Sequence, residues 1–377
     1  MKIAIDCREV LNPEAGIVSG IPEYIDGLTR VLLRSDIQNE WFLFFRADYP
    51  REAAAEILAL NKKSQAIFLP YQRGNFWINH WQATTAIRSI RPDVTLFPAG
   101  QVPLGWRGRS VVTAHDLAIY DHPEWFPDRG FGRWLSTKFI VPHGFRRADK
   151  IIAVSEATKK DLVRIFKIKP EKIFVVYPAV TVPEVSESSV ELVREKFQLP
   201  QKYFLCLGTI EPRKNFSLAV RATKILSDQG ADVCLAIAGK RGWKWQETLE
   251  EINKANVDKK IISELGYISQ EEKLALLAGA EALIFPSLHE GFGLPVLEAM
   301  TLGVPVITTQ VGALPEVGGL AVYFVPDNNP TELVETMSEI TIGVTREKMI
   351  VTGEEQAKKF DWGKAAEKVF TILSENK

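Results

Sequence analysis

The sequence lacks the residues that build a disulfide framework or a metal centre. Its 377 residues include only three cysteines, Cys7, Cys206 and Cys234, an odd number without metal-ligand spacing. Cys206 and Cys234 lie in apolar, strand-like runs, so we interpret them as buried small hydrophobic residues of a reduced compartment. The sequence also has no Asp-x-Asp pair that would hold a divalent metal ion. We therefore expect neither disulfides nor a bound metal.

Long apolar runs and a strong overall charge are absent as well. No run approaches the ~20 apolar residues of a membrane span, and a net charge of −1 gives no argument for nucleic acid binding. The first residues, Met1-Lys-Ile-Ala-Ile-Asp6-Cys-Arg8-Glu9, are too charged for a signal peptide and predict a first strand. These features favour a cytoplasmic protein that does not bind nucleic acid.

Two common nucleotide-binding signatures are missing. Gly291-Phe-Gly293 lacks the third glycine of a dinucleotide fingerprint, and no acidic residue is suitably placed after it to bind ribose. The Walker phosphate-binding pattern is also missing. A dehydrogenase is therefore disfavoured.

Short apolar runs alternate with helical patterns in both halves of the chain, which is typical of parallel sheets covered on both faces. The stretch 179–191 is rich in Pro, Ser and Glu and predicts a linker between domains 1–180 and 190–360. Strands are predicted near 2–6, 41–45, 66–69, 94–97, 110–114, 150–154, 173–176, 203–207, 233–238, 261–265, 282–286, 304–308 and 321–325. Helices of the first half are predicted at 21–34, 80–91, 131–148 and 156–166.

The most informative stretch runs from Ser287 to Met300 and carries two carboxylates, Glu290 and Glu298. A buried strand precedes it, and Pro295 is suited to the first helical position. Glu298 is then expected in the first helical turn, where the helix dipole favours negative charge. Glu290 is expected in the loop, where Gly291 and Gly293 let the backbone come close to a ligand.

A basic unit of the same kind lies upstream, at Gly208-Thr-Ile-Glu-Pro-Arg213-Lys214-Asn215. Asn215 is a plausible N-cap, so Arg213 and Lys214 would stand beside a helix N-terminus and form an anion site. We expect Lys214 to be an exposed side chain. Phosphate would repel the glutamates, so they should accept hydrogen bonds from hydroxyl groups while the cations hold phosphate. A ligand with both parts is a sugar nucleotide.

Glycine or polar residues follow each of the first five predicted strands of the second half, at the strand ends where open α/β sheets bind ligands. In the first half, His115-Asp116 follows the strand 110–114, and Gly16 to Gly20 follow the first strand and precede a helix. The two halves could thus face one cleft. The second-half positions are Gly208-Thr209, Gly239-Lys240, Gly266-Tyr267, Ser287 to Gly293 and Thr308 to Gly312.

With these residues in view, the chain resembles the retaining glycosyltransferases of family 4 over essentially its whole length. Glu290 and Glu298, with seven residues between them, are similar to the two-glutamate motif of that family. Glu211-Pro-Arg213-Lys214-Asn215 resembles its diphosphate-binding segment, and the segment 16–20 resembles its glycine loop. The resemblance implies a GT-B fold, an α/β architecture of two doubly wound Rossmann-like domains that face an interdomain cleft. It also implies that a C-terminal helix, 361–377, packs back on the first domain.

The resemblance further implies residue roles. Arg213 and Lys214 would bind the diphosphate, Glu290 would bind sugar hydroxyls, and Glu298 would bind the ribose. His115 would contact the donor hexose. The remaining donor-binding positions would be Gly16, Gly20, Gly239, Lys240, Tyr267, Ile268, Gly291, Phe292, Gly293 and Leu294.

The predicted reaction is transfer of a hexose from a nucleotide diphosphate sugar to a glycan or lipid-linked acceptor, with retained configuration and without a metal or other cofactor. GDP-mannose is the preferred donor by overall resemblance to bacterial polysaccharide mannosyltransferases; another GDP- or UDP-sugar stays open. Two alternatives remain: a sugar-nucleotide epimerase of the same fold, and a non-catalytic sugar-nucleotide-binding subunit.

Charge is unevenly distributed along the chain. The stretch 129–172 has an excess of eight basic over acidic residues, with Trp134 and Phe139 among its aromatic residues. One interpretation is a solvated basic helix face. The other is a peripheral surface for anionic lipid at the inner face of the membrane, near a lipid-linked acceptor.

Overall fold

The computed structural model describes residues 1–10, 20–71, 75–127, 134–341 and 343–375. The chain divides into two compact units. The first consists of Met1–Leu117, Asp128–Ala179 and Asp361–Lys377, and the second of Ala118–Pro127 and Val180–Phe360.

The strands, in chain order, are β1 (Lys2–Asp6), β2 (Glu40–Arg46), β3 (Ser64–Leu69), β4 (Val94–Phe97), β5 (Ser110–Ala114), β6 (Lys150–Ala153), β7 (Ile173–Val175), β8 (Phe204–Leu207), β9 (Leu235–Ala238), β10 (Ile262–Gly266), β11 (Ala282–Phe285), β12 (Val306–Thr308) and β13 (Tyr323–Phe324). The helices are α1 (Gly20–Ser35), α2 (Arg51–Leu58), α3 (Phe76–Ile90), α4 (Ala118–Asp121), α5 (Val141–Arg147), α6 (Glu156–Phe166), α7 (Glu187–Phe197), α8 (Phe216–Asp228), α9 (Gln246–Ala255), α10 (Gln270–Ala278), α11 (Leu294–Thr301), α12 (Leu314–Gly318), α13 (Pro330–Ile340), α14 (Gly343–Ala357) and α15 (Trp362–Ser374). Short 3₁₀ turns lie at Pro123–Trp125, Pro170–Lys172 and Pro212–Lys214, and a π-helical turn at Ser136–Ile140.

The first unit is built on a seven-stranded sheet in the order β3-β2-β1-β4-β5-β6-β7. Every pairing is parallel; Ile3, for example, lies opposite Trp41 of β2 and Val94 of β4. β4 and β5 are buried along their whole length, as expected of strands covered by helices on both faces.

The C-terminal helix α15 packs on α1 within this first unit. The rings of Tyr24 and Trp362 lie 6.0 Å apart. A Cβ atom on Gly27 would lie 2.6 Å from Cζ2 of Trp362, so only glycine at this position lets the indole lie against α1.

The second unit is built on a six-stranded parallel sheet in the order β10-β9-β8-β11-β12-β13. The buried strands β8, β9 and β11 pack against α8, and the core includes Phe216, Leu218 and Met337. The strands β10, β9, β8 and β11 are neighbours in this sheet, so the loops that follow them come from four adjacent strands. In a parallel sheet these loops share one edge.

The predicted strands are confirmed, with ends that shift by one or two residues. The predicted helix 80–91 begins earlier, at Phe76, because Asn75 caps it by accepting a hydrogen bond from the backbone N–H of Ile78. The predicted helix 131–148 continues through a π-helical turn into α5, and its residues 131–133 lie outside the described residues.

One segment of the predicted first domain, Ala118–Pro127, belongs to the second unit instead. Trp243 Nε1 donates to the carbonyl of Trp125, and Lys244 Nζ donates to that of Glu124 at 2.7 Å. The Phe126 ring stacks on Trp243 at 5.8 Å. These contacts join residues far apart in sequence, so the linear pattern does not reveal them.

Candidate active site

The loops after β8 and β9 make a very close backbone contact. Gly208 and Gly239 adopt φ values of +133° and +150°, which side chains rarely allow. A Cβ atom on Gly239 would lie only 1.9 Å from the carbonyl oxygen of Gly208. Glycine is therefore required where the carboxyl ends of these two strands meet.

The basic segment that follows β8 forms the 3₁₀ turn Pro212–Lys214 and leads directly into α8. The prediction that Asn215 caps this helix is wrong in its chemistry. Asn215 occupies the cap position with φ of +51°, but its side chain makes no cap hydrogen bond. Its Nδ2 instead donates to the carbonyl of Asp327 at 2.8 Å, which ties the turn to the segment before α13.

Lys214 is buried, contrary to the expectation of an exposed side chain. Only 9% of it is accessible, and its Nζ lies 4.6 Å from the centroid of the Phe285 ring. Nζ donates to Oε1 of Glu290 at 2.5 Å. Burial lowers the pKa of Lys214, although the charge of Glu290 opposes this effect.

Arg213 bridges two buried glutamates. Its Nε and Nη2 lie 3.1 and 3.0 Å from Oε1 of Glu211, and its Nη1 lies 3.1 Å from Oε2 of Glu290. Nη1 also donates to the carbonyl of His289 at 2.9 Å. Burial raises the pKa of Glu211, whereas Arg213 acts in the opposite direction. The arginine plane is thus fixed by charge-assisted bonds on two sides.

Glu290 is held through its backbone as well as its side chain. Its carbonyl accepts a hydrogen bond from the N–H of Ala313 at 3.0 Å. A Cβ atom on Gly312 would lie 2.3 Å from that carbonyl oxygen, and Gly312 has φ of +53°. The loop after β12 therefore positions the loop after β11.

Glu298 lies one residue further along α11 than expected. The helix begins at Leu294, with Pro295 second, so Glu298 is its fifth residue and lies in the second turn, not the first. Gly293, at φ of +106°, precedes the helix and shifts its start by one residue from the predicted position. Glu298 is 3% exposed, and its Oε1 accepts a hydrogen bond from Nζ of Lys273 at 2.6 Å.

Sequence reasoning missed Lys273, which lies on α10 and is only 9% exposed. Its neighbours Leu274, Ala275, Leu276 and Leu277 are all buried too, so α10 shows no polar face that would single out a lysine. Glu211 was recognised only as part of its motif. What identifies Lys273 as a residue of the site is its contact with the buried carboxylate of Glu298 on the following helix, and this contact is visible only in three dimensions.

The other predicted residues of this unit follow the same strands. Lys240 and Tyr267 are exposed, whereas Ile268 is buried. In the glycine loop, Gly291, Phe292 and Gly293 are buried, and Leu294 is half-buried. The Phe292 ring meets Phe360 edge to face at 5.5 Å. The structure thus brings Arg213, Lys214 and Glu290 into direct contact and places the remaining positions after neighbouring strands.

In the first unit, His115 directly follows β5 and is half-buried. Its Nε2 lies 2.6 Å from the carbonyl of Pro98, and its ring meets Tyr24 edge to face at 4.8 Å. Burial lowers the pKa of His115 to about 4. The imidazole is therefore neutral near pH 7, with Nε2 as the donor and Nδ1 as an acceptor. Gly20 is the first residue of α1, and Gly16 lies outside the described residues.

The basic stretch 129–172 is only partly described, because 128–133 lie outside the described residues. Lys150 pairs with Glu375 and Arg164 with Asp161, each at 2.6 Å. Trp134 and Phe139 are 42% and 56% exposed, with ring centroids 5.5 Å apart. Across the described part of the chain, no helix has the length and apolar character needed to cross a bilayer.

Residues 190–356 match the family model described as "Glycosyl transferases group 1", and residues 18–182 match the one described as "Glycosyltransferase Family 4". The O-antigen chain mannosyltransferase B of Escherichia coli is 33% identical over 261 residues, which cover 67% of each chain. The chain belongs to this glycosyltransferase family. The predicted family and the prediction of an enzyme are both confirmed.

A second relative of this glycosyltransferase is the serotype-specific mannosyltransferase WbdA of E. coli. It is 29% identical over 262 residues, which cover 62% of this chain but 31% of that longer protein. Among solved structures, Anabaena HepE in complex with UDP and glucose has a TM-score of 0.75 at 16% identity over 100% of both chains. WaaG, from lipopolysaccharide biosynthesis, has a TM-score of 0.73 at 16% identity, covering 99% of this chain and 100% of its own. These likenesses confirm the GT-B fold class.

Proposed function

We propose that this glycosyltransferase transfers mannose, with retained configuration, from GDP-mannose to a glycan or lipid-linked saccharide during synthesis of a bacterial surface polysaccharide. The observation that carries the proposal is the contact of Arg213 and Lys214 with Glu290 beside the carboxyl ends of the strands. The two E. coli relatives, both named as mannosyltransferases, support the choice of sugar. The same comparisons favour a transferase over the epimerase and the binding subunit.

The proposed chemistry follows from the charge that moves in the reaction. Breaking the sugar–phosphate bond places negative charge on the leaving diphosphate, and fixed cations nearby lower the barrier. Arg213 and Lys214 are held by Glu211 and Glu290, so little reorganisation is needed at the moment of bond cleavage. The ammonium of Lys214 carries three donors, more than its bond to Glu290 uses, so it can also donate to phosphate oxygens.

Glu290 would accept hydrogen bonds from sugar hydroxyls in this proposal. Its carboxylate is already engaged by two cations, which makes it a weak nucleophile. A front-face path with retained configuration is therefore favoured over a covalent intermediate. Proton NMR of the first product formed would show an anomeric proton of the same configuration as the donor; an inverted product, or a trapped glycosyl-enzyme, would contradict this path.

Metal independence belongs to the same proposal. Arg213 and Lys214 supply positive charge where a metal ion would otherwise stand. We expect initial rates with GDP-mannose to be unchanged after EDTA treatment. Loss of activity that Mg²⁺ or Mn²⁺ restores would contradict the proposal.

The donor is tested directly by thermal shift with GDP, UDP, ADP and their sugars, since a ligand that binds only the folded state raises the transition temperature. We expect the largest shift with GDP-mannose. A larger shift with a UDP-sugar would overturn the choice of donor and leave the transferase assignment in place. The contact of His115 with the donor hexose stays a prediction from the resemblance.

A lipid-linked acceptor would place the enzyme at the inner face of the membrane. A Campylobacter jejuni relative, 28% identical over 176 residues, is named for a diphospho-undecaprenol acceptor. We propose that the exposed rings of Trp134 and Phe139, within the basic stretch 129–172, contact anionic lipid. Co-sedimentation with phosphatidylglycerol vesicles, but not with phosphatidylcholine vesicles, would support this contact. Equal recovery in both supernatants would reject it.

A further inference from the structure

The pair formed by Lys273 and Glu298 links two helices of the second unit. Nζ of Lys273 on α10 lies 2.6 Å from Oε1 of Glu298 on α11, and the two side chains are 11% and 4% exposed. This is a short, charge-assisted bond between side chains that are both withdrawn from water.

Glu272, which precedes Lys273 on the same helix, has other partners. Glu272 accepts a hydrogen bond from the backbone N–H of Ser269 at 2.8 Å, which completes a capping box, and also pairs with Lys196. Lys273 instead reaches across to the next helix. Lys273 is the first of five consecutive buried residues of α10, so this contact is part of the packing of the fold.

Stability alone does not account for a charged pair at this depth. Taking two charges out of water costs free energy that their attraction offsets only with good geometry, and an apolar pair of similar volume is often at least as stable. An apolar pair, however, would leave no carboxylate on α11. The retained charge therefore points to a task for Glu298 that requires an ordered acceptor.

We infer that Lys273 is a positioning residue that holds the Glu298 carboxylate for the ribose hydroxyls of the nucleotide donor. The inference rests on the proposed function and on the ribose-binding role that the family resemblance implies for Glu298. A carboxylate offers about four acceptor directions, and the bond that Lys273 donates to Oε1 restrains how the group is oriented. Without the lysine, the carboxylate loses this restraint.

The test compares a nucleotide with and without the hydroxyl groups. Dissociation constants are measured by titration calorimetry for GDP and 2′,3′-dideoxy-GDP, with UDP and 2′,3′-dideoxy-UDP in parallel. We expect the wild-type enzyme to bind the ribonucleotide about 10- to 100-fold more tightly, the range for hydrogen bonds to a charged group. Glu298→Gln should lose most of this ratio.

Lys273→Met should also lose most of the preference for the ribonucleotide over the dideoxy nucleotide. Its affinity for the dideoxy nucleotide should stay close to that of wild type. Lys273→Arg should retain part of it, because a guanidinium can still donate to the carboxylate. The double variant Lys273→Met with Glu298→Gln should match Glu298→Gln alone, since the two residues act as one unit. Lys273→Gln, which keeps a donor without the charge, replaces Lys273→Met if that variant does not fold.

Lys196→Met is the matched control, because it removes an exposed lysine that pairs with α10 and does not contact Glu298. It should keep the wild-type ratio. If Glu298→Gln loses the ratio and Lys273→Met keeps it, the positioning role is overturned while ribose binding by Glu298 stands. If Glu298→Gln keeps the ratio, ribose binding by Glu298 fails and the positioning role fails with it.

Discussion

Glu290 and Glu298 are buried to similar depths, but different kinds of structure hold them. Glu290 lies in a loop, accepts hydrogen bonds from two cations of the turn after β8, and has its backbone fixed by the loop after β12. Glu298 lies within a helix and accepts a hydrogen bond from a lysine on another helix. The position of the Glu290 carboxylate depends on the loops after β8, β11 and β12. The position of the Glu298 carboxylate depends on the packing of two helices.

This difference separates the expected consequences of mutation. Changes around Glu290 should alter turnover more than folding, because in the proposed mechanism its cations act on the reacting diphosphate. Changes around Glu298 should alter folding and nucleotide affinity, because α10 and α11 are part of the core.

The largest effect is expected for Lys214→Met. Loss of one fixed charge at a developing negative charge costs about 100- to 1000-fold in kcat. Glu290 keeps its contact with Arg213, so the free energy of unfolding should fall by only about 1–3 kcal/mol. Initial-rate kinetics with GDP-mannose and urea denaturation measure the two quantities.

The control for Lys214→Met is Lys224→Met, which removes a half-buried lysine from α8, the helix that follows the turn, where it pairs with Asp228. Its kcat should equal that of wild type. An unchanged kcat of Lys214→Met would show that Lys214 has no role in catalysis.

Lys273→Met should affect stability most. Removing one partner of a buried ion pair leaves the other charge uncompensated and costs about 3–5 kcal/mol. The double variant with Glu298→Gln should recover part of this loss, because the buried charge is gone as well. A free energy of unfolding of Lys273→Met within about 1 kcal/mol of wild type, the size of one surface ion pair, would show that the pair contributes little to stability. Urea denaturation curves measure this difference.

Glu211→Gln should have an intermediate effect on turnover. The amide keeps one acceptor for Arg213 but loses the charge that fixes the guanidinium, so we expect kcat/KM to fall about tenfold, or about 1.4 kcal/mol. Glu264→Gln is the control, because it removes a carboxylate from an exposed arginine, Arg241, in the same unit. Equal losses in both variants would show that the effect is not specific to the site.

The smallest effect concerns pH. Burial lowers the pKa of Lys214. As pH rises, this side chain therefore loses its charge before the ordinary lysine pKa of about 10.4 is reached. Activity should therefore fall with rising pH before that value is reached. Because the folded-state pKa is lowered, this group makes folding more favourable as pH rises through the same window. Lys214→Arg should move the alkaline fall in kcat/KM to higher pH; an unmoved profile would assign it to another group.

The sequence was sufficient for the parts of this site that depend on strand order. Arg213, Lys214 and Glu290 follow buried strands that are easy to recognise, and parallel strands place such loops at one edge. The burial of Lys214 and the role of Asn215 were mispredicted because both depend on partners about 76 and 112 residues away in the chain. Lys273 could not be found at all, because its partner lies on another helix and α10 has no polar stripe.

The close approach of Gly208 and Gly239 has a practical consequence for re-engineering this enzyme. Any side chain at Gly239 would collide with the neighbouring main chain, so libraries that randomise this position will contain mostly misfolded members. Diversity introduced at Lys240 and Tyr267, whose side chains extend into solvent beside that junction, leaves the junction intact. The family resemblance implies that both residues line the donor pocket, so selections for altered donor preference should begin at those two codons.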